Sequence, residues 1–208
     1  MLLAENEAPS ASLPDLFMRR QQFKVCPVAP SSLGRASQFM KLQSNEDEKI
    51  VWSRPPDADA TIPVTLMHPV FRQFVDNCQN HRPNKEDNTL VLELMITMSR
   101  FFRDENARAA TFRDILTRHG IPVGTATIQS TTREFHTDGS IAIDGHLIAI
   151  FELKKEIGSE GAEPYAQVIL YYAHSTTAKA KAETREFFNF PSFLITVFGQ
   201  SLLSLSLY

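Results

Sequence analysis

The stretch "TDGSIAIDGHLIAIFELKKEIG" (137–158) decides how this chain is read. Two apolar runs, Gly139–Ile143 and His146–Lys154, flank Asp144-Gly145, a dipeptide suited to a tight hairpin turn. The second run is almost continuously apolar, as in a central strand covered on both faces. Yet it ends in Glu152-Leu153-Lys154-Lys155-Glu156. A charge run after a strand is ordinarily a solvated turn, but on a buried strand it can also rim a metal site.

Side chains alternate along a strand, so Glu152 and Lys154 share a face. A carboxylate beside an ammonium at a strand end can hold Mg²⁺ and orient or deprotonate a water. The pattern alone carries little. With 24 acidic residues in the chain, about one acid-x-Lys is expected by chance, and Asp47-Glu48-Lys49 also matches. Position on a buried strand is the information.

Asp138 lies just before the first arm, and hairpin register decides whether it reaches Glu152. A strict two-residue loop pairs Ile143 with His146 and puts Asp138 opposite Phe151, on the wrong face. A three-residue loop ending at Gly145 pairs Ala142 with His146 and brings Asp138 onto the face of Glu152. A shared site therefore requires an odd-length loop, a bulge, or a bend at Asp138.

Around this hairpin the chain reads as α/β. Residues 1–60 contain six prolines among many Ser, Ala and Gln and show no sustained apolar period, so they read as mostly disordered, with a short helical piece around Leu13–Phe23. Arg19-Arg20 is too short to be read as a targeting signal. Order is expected from about Ile62, with a domain over 61–208. Residues 68–80 space Val70, Phe71, Phe74, Val75 and Cys78 as a helix opened by Pro69. Residues 86–105 form a second helix, capped by Asp87 or Asn88, with a stripe of Leu90, Val91, Leu94, Met95, Met98, Phe101 and Phe102. Residues 107–120 continue the helical pattern and stop at Gly120. Residues 124–135 read as a strand, 163–188 as a helix opened by Pro164, and 191–199 as a short buried strand. Together these give a small mixed sheet flanked by helices.

The 208 residues suit one domain with a tail. A net charge of −3 supplies no global basic field, so any nucleic-acid contact must use a local patch. The 2 cysteines make no disulfide framework and favour an intracellular setting, cytoplasmic or nuclear. The N-terminus lacks the features of a signal peptide, no apolar run is long enough to span a membrane, and no glycine-rich nucleotide-binding motif occurs. His136 shares a face with Asp138, and His146 follows the turn, but both read as ordinary surface or hydrogen-bonded histidines. Cys78 reads as core. Arg100, Arg103, Arg108, Arg113 and Arg118 read mainly as a solvated face; with Lys154, Lys155, Lys179 and Lys181 they could border a phosphate track.

Gln167 and Tyr171 are spaced i, i+4 on the helix after the hairpin and share a face. In order, Asp138, Glu152-Leu153-Lys154 and Gln167-x-x-x-Tyr171 resemble the PD-(D/E)xK nuclease superfamily. "FELKKEIG", "HPVFRQF" and "PSFLITVFG" further look like a fungal group of nuclease-like domain proteins, some linked to kinase-like regions, so a kinase-like partner is one expectation. The resemblance spans roughly residues 62–199 and implies a restriction-endonuclease-like fold. It implies that Asp138 and Glu152, with the Leu153 carbonyl, bind Mg²⁺ (or Mn²⁺), that Lys154 helps to activate water, and that Gln167 supports the site. Lys155, Tyr171 and Lys179 would then contact nucleic acid, and Glu93 is a candidate for an extra acid. Thr137 stands where the superfamily has proline. The superfamily's sheet is expected to be followed by more chain than "SLLSLSLY", so the chain reads as a C-terminally truncated form. The function expected is Mg²⁺-dependent phosphodiester hydrolysis; the alternative is an inactive nuclease-like module that binds nucleic acid or a protein.

Overall fold

The computed structural model describes residues 28–46, 49–50, 64–129, 134–155, 161–182, 191–198 and 201–207, without the side chains of Met67, 178–182 and 201–207. Helices α1 (Pro30–Leu33), α2 (Ala36–Ser44), α3 (Val64–Met67), α4 (Pro69–Asn80), α5 (Lys85–Met98) and α6 (Glu105–Arg118) come first. Strands β1 (Thr127–Gln129), β2 (Glu134–His136), β3 (Gly139–Ile143) and β4 (His146–Lys154) follow, then α7 (Pro164–Ala182), β5 (Phe193–Phe198) and β6 (Ser201–Leu207). β1 and β2 form a small antiparallel ribbon. The main sheet has the order β3-β4-β5-β6; β4 and β5 run parallel, joined across α7, and the outer pairs are antiparallel. The mixed α/β class is as the sequence implies.

The near-continuous apolar run of β4 is explained by its two covered faces. Phe151 and Leu153 pack with Phe71 of α4, Met98 of α5 and Phe112 of α6. Ile150, on the other face, packs with Val168, Ile169 and Tyr171 of α7. Phe71, Phe112, Ile150 and Leu153 are almost wholly buried, and each such side chain contributes about 1.5–3 kcal/mol relative to exposure.

Local signals set the helix ends. Pro69 occupies the first turn of α4, and the preceding His68 caps it. Asn84, not Asp87 or Asn88, is the N-cap of α5; its side chain accepts from the Asp87 N–H while the Asp87 carboxylate accepts from the Asn84 N–H. Asp104 caps α6 by accepting from Ala107 N–H at 2.8 Å, so the helix expected over 86–105 ends instead at Met98 and a new one starts at Glu105.

Other expectations also change. Residues 30–44, read as part of a disordered segment, form α1 and α2, where Leu33 and Leu42 pack on Leu170 of α7. Three or four spaced apolar residues suffice once a neighbouring helix covers them. The helical piece expected around Leu13–Phe23 and the Arg19-Arg20 pair lie outside the described residues. Of the strand expected over 124–135, the described residues show two short antiparallel strands, β1 and β2, and 130–133 lie outside them. Cys78 is exposed on α4, not core. Of the stripe expected on α5, Leu90, Leu94 and Met98 face the core with Phe102, whereas Val91, Met95 and Phe101 point outward. β6 was not expected, although "SLLSLSL" alternates for its last five residues as a strand does. Among the described residues no helix is long and apolar enough to cross a membrane.

Candidate metal and phosphodiester site

The Asp144-Gly145 turn is the two-residue form, with φ of 49° and 77°, and Ile143 pairs with His146. Continued straight, that register would carry Asp138 to the wrong face. It is not continued. Ala142 pairs with Leu147 but Ile141 pairs with Ala149, so Ile148 is an extra residue on β4, a β-bulge. Beyond it Gly139 pairs with Phe151, and one further step sets Asp138 opposite Glu152. The geometry that a shared site requires is therefore met by a bulge rather than by a longer loop.

Asp138 is held from two sides. Its Oδ2 accepts from Leu153 N–H at 2.8 Å, and the Arg113 guanidinium of α6 donates to its carbonyl. Its neighbours leave no slack. A Cβ on Gly139 would stand 3.0 Å from Val123 and 3.2 Å from Phe151. Thr137, just before Asp138, is buried and bonded on both sides: its N–H donates to Ala126 O and its hydroxyl accepts from Ala126 N–H, at 3.1 and 3.0 Å.

Glu152 is 1 % exposed, and neither of its oxygens has a hydrogen-bond partner among the described residues. Its cation is Lys154, whose Nζ lies 3.5 Å from Oε1. Lys154 lies closer, at 3.0 Å, to Glu105 in the first turn of α6. Burial pushes the Glu152 carboxyl well above its usual range, and the charge of Asp138 adds to this. Burial also raises Asp138, against the Leu153 N–H, Lys154 and Arg113, which favour its ionised form. For Lys154, burial works against the ammonium, but Glu152, Glu105 and Asp138 outweigh it and keep the proton on. Three carboxyl groups thus crowd one ammonium, and of the two acids of the hairpin Glu152 is pushed further toward its protonated form, by burial first.

α7 closes the site on the Ile150 side. Gln167 is buried; its Nε2 donates to Tyr171 Oη at 3.3 Å, and its Oε1 has no hydrogen-bond partner among the described residues. The Tyr171 phenol is held above its ordinary range by burial and then by the charge of Glu152, which places its ring beside the acids and inside the core cluster. The start of α7 is in turn held by the α1–α2 turn: Gly34 O accepts from Glu163 N–H at 2.8 Å. A Cβ on Gly34 would meet Gln167 at 3.4–3.5 Å and Pro30 O at 2.9 Å.

Asp138, Glu152 and Lys154 are therefore brought together, and Gln167 is linked to the group through its bond to Tyr171. Lys155 is exposed next to them at the end of β4. Lys179 lies on α7, its side chain outside the described residues. Glu93 does not join the group: it binds Arg118 and His119, both at 2.8 Å, at the opposite end of α6 from Glu105. The acid that does join the group is Glu105, which in the sequence is only the last residue of a helix expected over 86–105. The arginines do not form one solvated face, because Arg108 is buried over the Phe102 ring and Arg113 is spent on Asp138. His136 contacts Thr127 of β1 at 3.2 Å.

The side chains that could hold a cation here, the Asp138 and Glu152 carboxylates, offer oxygen donors only. Such hard donors suit Mg²⁺ or Mn²⁺ rather than zinc or copper. No group of three or more His, Cys, Asp or Glu among the described residues forms a cage. Mg²⁺ does not need one, since it commonly takes one or two carboxylates and keeps several waters. Glu152, buried and without a hydrogen-bond partner for its oxygens among the described residues, is the kind of group that a cation would satisfy. No family model matches the chain, and no curated protein or solved structure matches it.

Proposed function

We propose that this chain is a divalent-metal-dependent phosphodiesterase of the PD-(D/E)xK nuclease type, acting on nucleic acid. The observation that carries this reading is the bulge at Ile148, which turns Asp138 onto the face of a buried Glu152 whose oxygens have no hydrogen-bond partner among the described residues. Asp138 and Glu152 would hold Mg²⁺ or Mn²⁺, which would supply the positive charge that a crowded phosphate needs. Lys154, kept protonated, is not the base; it donates hydrogen bonds to the attacking water and to the phosphate oxygen on which charge accumulates. The water oxygen bonds to phosphorus, the water proton passes to solvent, and the leaving oxygen departs with its electron pair and is protonated. Gln167 and Tyr171, bonded to each other, would support the site from the α7 side. Lys155, with Lys179, is a candidate contact for the flanking phosphates.

A second reading, a nuclease-like module that binds nucleic acid or protein without cleaving, is favoured by one contact. Lys154 sits nearer Glu105 than Glu152, and so is drawn away from a substrate. Cleavage of labelled DNA and RNA with Mg²⁺ or Mn²⁺, compared with an Asp138→Ala/Glu152→Ala double variant, separates the two. Loss of cleavage in the variant supports the enzyme, whereas binding that persists in the variant with no cleavage in either protein supports the module.

A further inference from the structure

Phe101 and Phe102 are neighbours in the segment that joins α5 to α6, and their environments are opposite. Phe102 packs against the core, with the Arg108 guanidinium 5.0 Å from its ring centroid. Phe101 is wholly exposed. The segment is pinned on both sides: Arg100 N–H donates to Thr97 O at 3.2 Å, and Asp104 caps α6 through Ala107 N–H. Phe101 is therefore held in water by its neighbours and forgoes the free energy that burial would bring.

The charges around it are positive. Arg100 and Arg103 flank it in the chain, and both are exposed. The two acids that follow are engaged, Asp104 with Arg103 at 2.8 Å and Glu105 with Lys154 at 3.0 Å. The Asp104 carboxylate is held below its ordinary range by the Ala107 N–H first, then by Arg103, with a smaller pull from Lys155, so the Lys155 ammonium borders the same rim. From Phe101 to Glu105 the chain spans at most ~14 Å, which is about four nucleotides at the ~3.4 Å spacing of a stacked strand.

We propose that Phe101 is a stacking platform for an unpaired base, with Arg100, Arg103 and Lys155 on the neighbouring phosphates, so that the site acts on single-stranded nucleic acid or on the single-stranded tail of a duplex. The proposal rests on the phosphodiesterase reading above, which sets the scissile phosphate at Asp138 and Glu152. A base inside a duplex has both faces covered by its neighbours, so an exposed ring stacks only on a base that has left the stack or ends it. Every base has a π face, so the platform is indifferent to sequence. The cations alone would hold a duplex as readily; the ring adds the preference.

Binding of a labelled single strand, a tailed duplex and a blunt duplex, read by fluorescence anisotropy with a chelator present so that nothing is cut, tests this. The wild type should bind the single strand and the tailed duplex about tenfold more tightly than the blunt duplex. Phe101→Leu, still apolar but without a ring, should lose that margin and bind the blunt duplex as before, with an unchanged circular dichroism signal because the site is exposed. Phe101→Trp should keep the margin. Arg100→Ala/Arg103→Ala should lower the slope of log affinity against log salt by about 1.4 on the single strand, at about 0.7 per lost phosphate contact. No single-strand binding up to about 100 µM, a single strand bound no better than the blunt duplex, or a Phe101→Leu variant that binds like the wild type would overturn the proposal. The last result beside metal-dependent cleavage would leave the phosphodiesterase standing without the platform. A ring-dependent margin in a protein that cuts nothing would keep the platform and remove the phosphodiesterase.

Discussion

Asp138 Oδ2 takes the hydrogen bond of Leu153 N–H at 2.8 Å, so the first acid is anchored on the backbone between Glu152 and Lys154. That bond exists because the Ile148 bulge shifts the hairpin register by one residue. The Arg113 contact to the Asp138 carbonyl fixes the same residue from α6. Arg113 is thus a positioning residue. Arg113→Leu is expected to lower kcat about tenfold while leaving KM for the nucleic acid within about twofold; a KM change without a kcat change would make it a substrate contact instead.

Glu152→Gln should make the protein more stable at neutral pH when no divalent cation is present. The folded-state affinity of Glu152 for its proton is raised, by burial and then by Asp138. Its contribution is therefore present below the unfolded carboxyl range and is lost as pH rises through the higher folded value. Removing the ionisable group removes that loss, on the order of 1–2 kcal/mol. Thermal melts between pH 4 and pH 8 should show the variant overtaking the wild type as pH rises, and Mg²⁺ should raise the wild-type Tm but not that of the variant.

Lys154→Met should reduce cleavage by about 10²–10³-fold and cost about 3–5 kcal/mol of stability, because Glu105 and Glu152 lose their shared cation. Combining it with Glu105→Gln should recover part of the stability and none of the activity. Denaturant melts and single-turnover cleavage read the two effects separately.

Much of this site is legible in the sequence, and the reasons for the remainder are physical. Strand alternation places Glu152 and Lys154 on one face, and helical spacing places Gln167 beside Tyr171. The alternatives for Asp138 can be enumerated, but the bulge cannot be chosen, since Leu147-Ile148-Ala149 carries no glycine or charge to mark it. Glu105 meets Lys154 across 49 positions, a contact set by how α6 packs on β4 and unmarked in either segment. The outward face of α5 is hidden for another reason: apolar residues at 90–92 and 94–96 look like one wide stripe until the core selects a side.

The helices at 30–44 carry a prediction of their own. Gly34→Val should destabilise the protein by about 1–3 kcal/mol and depress cleavage, because an added side chain meets Pro30 O and Gln167. Limited proteolysis should then cut within residues 30–44 faster than in the wild type.

The most direct measurement is the Mg²⁺-dependent cleavage of single- and double-stranded DNA and RNA by the wild type and by Asp138→Ala/Glu152→Ala. Cleavage that requires the metal, stops with a chelator and falls by about 10³-fold or more in the double variant is the expected result. Equal cleavage by the two proteins, or none by the wild type with either Mg²⁺ or Mn²⁺, would contradict it.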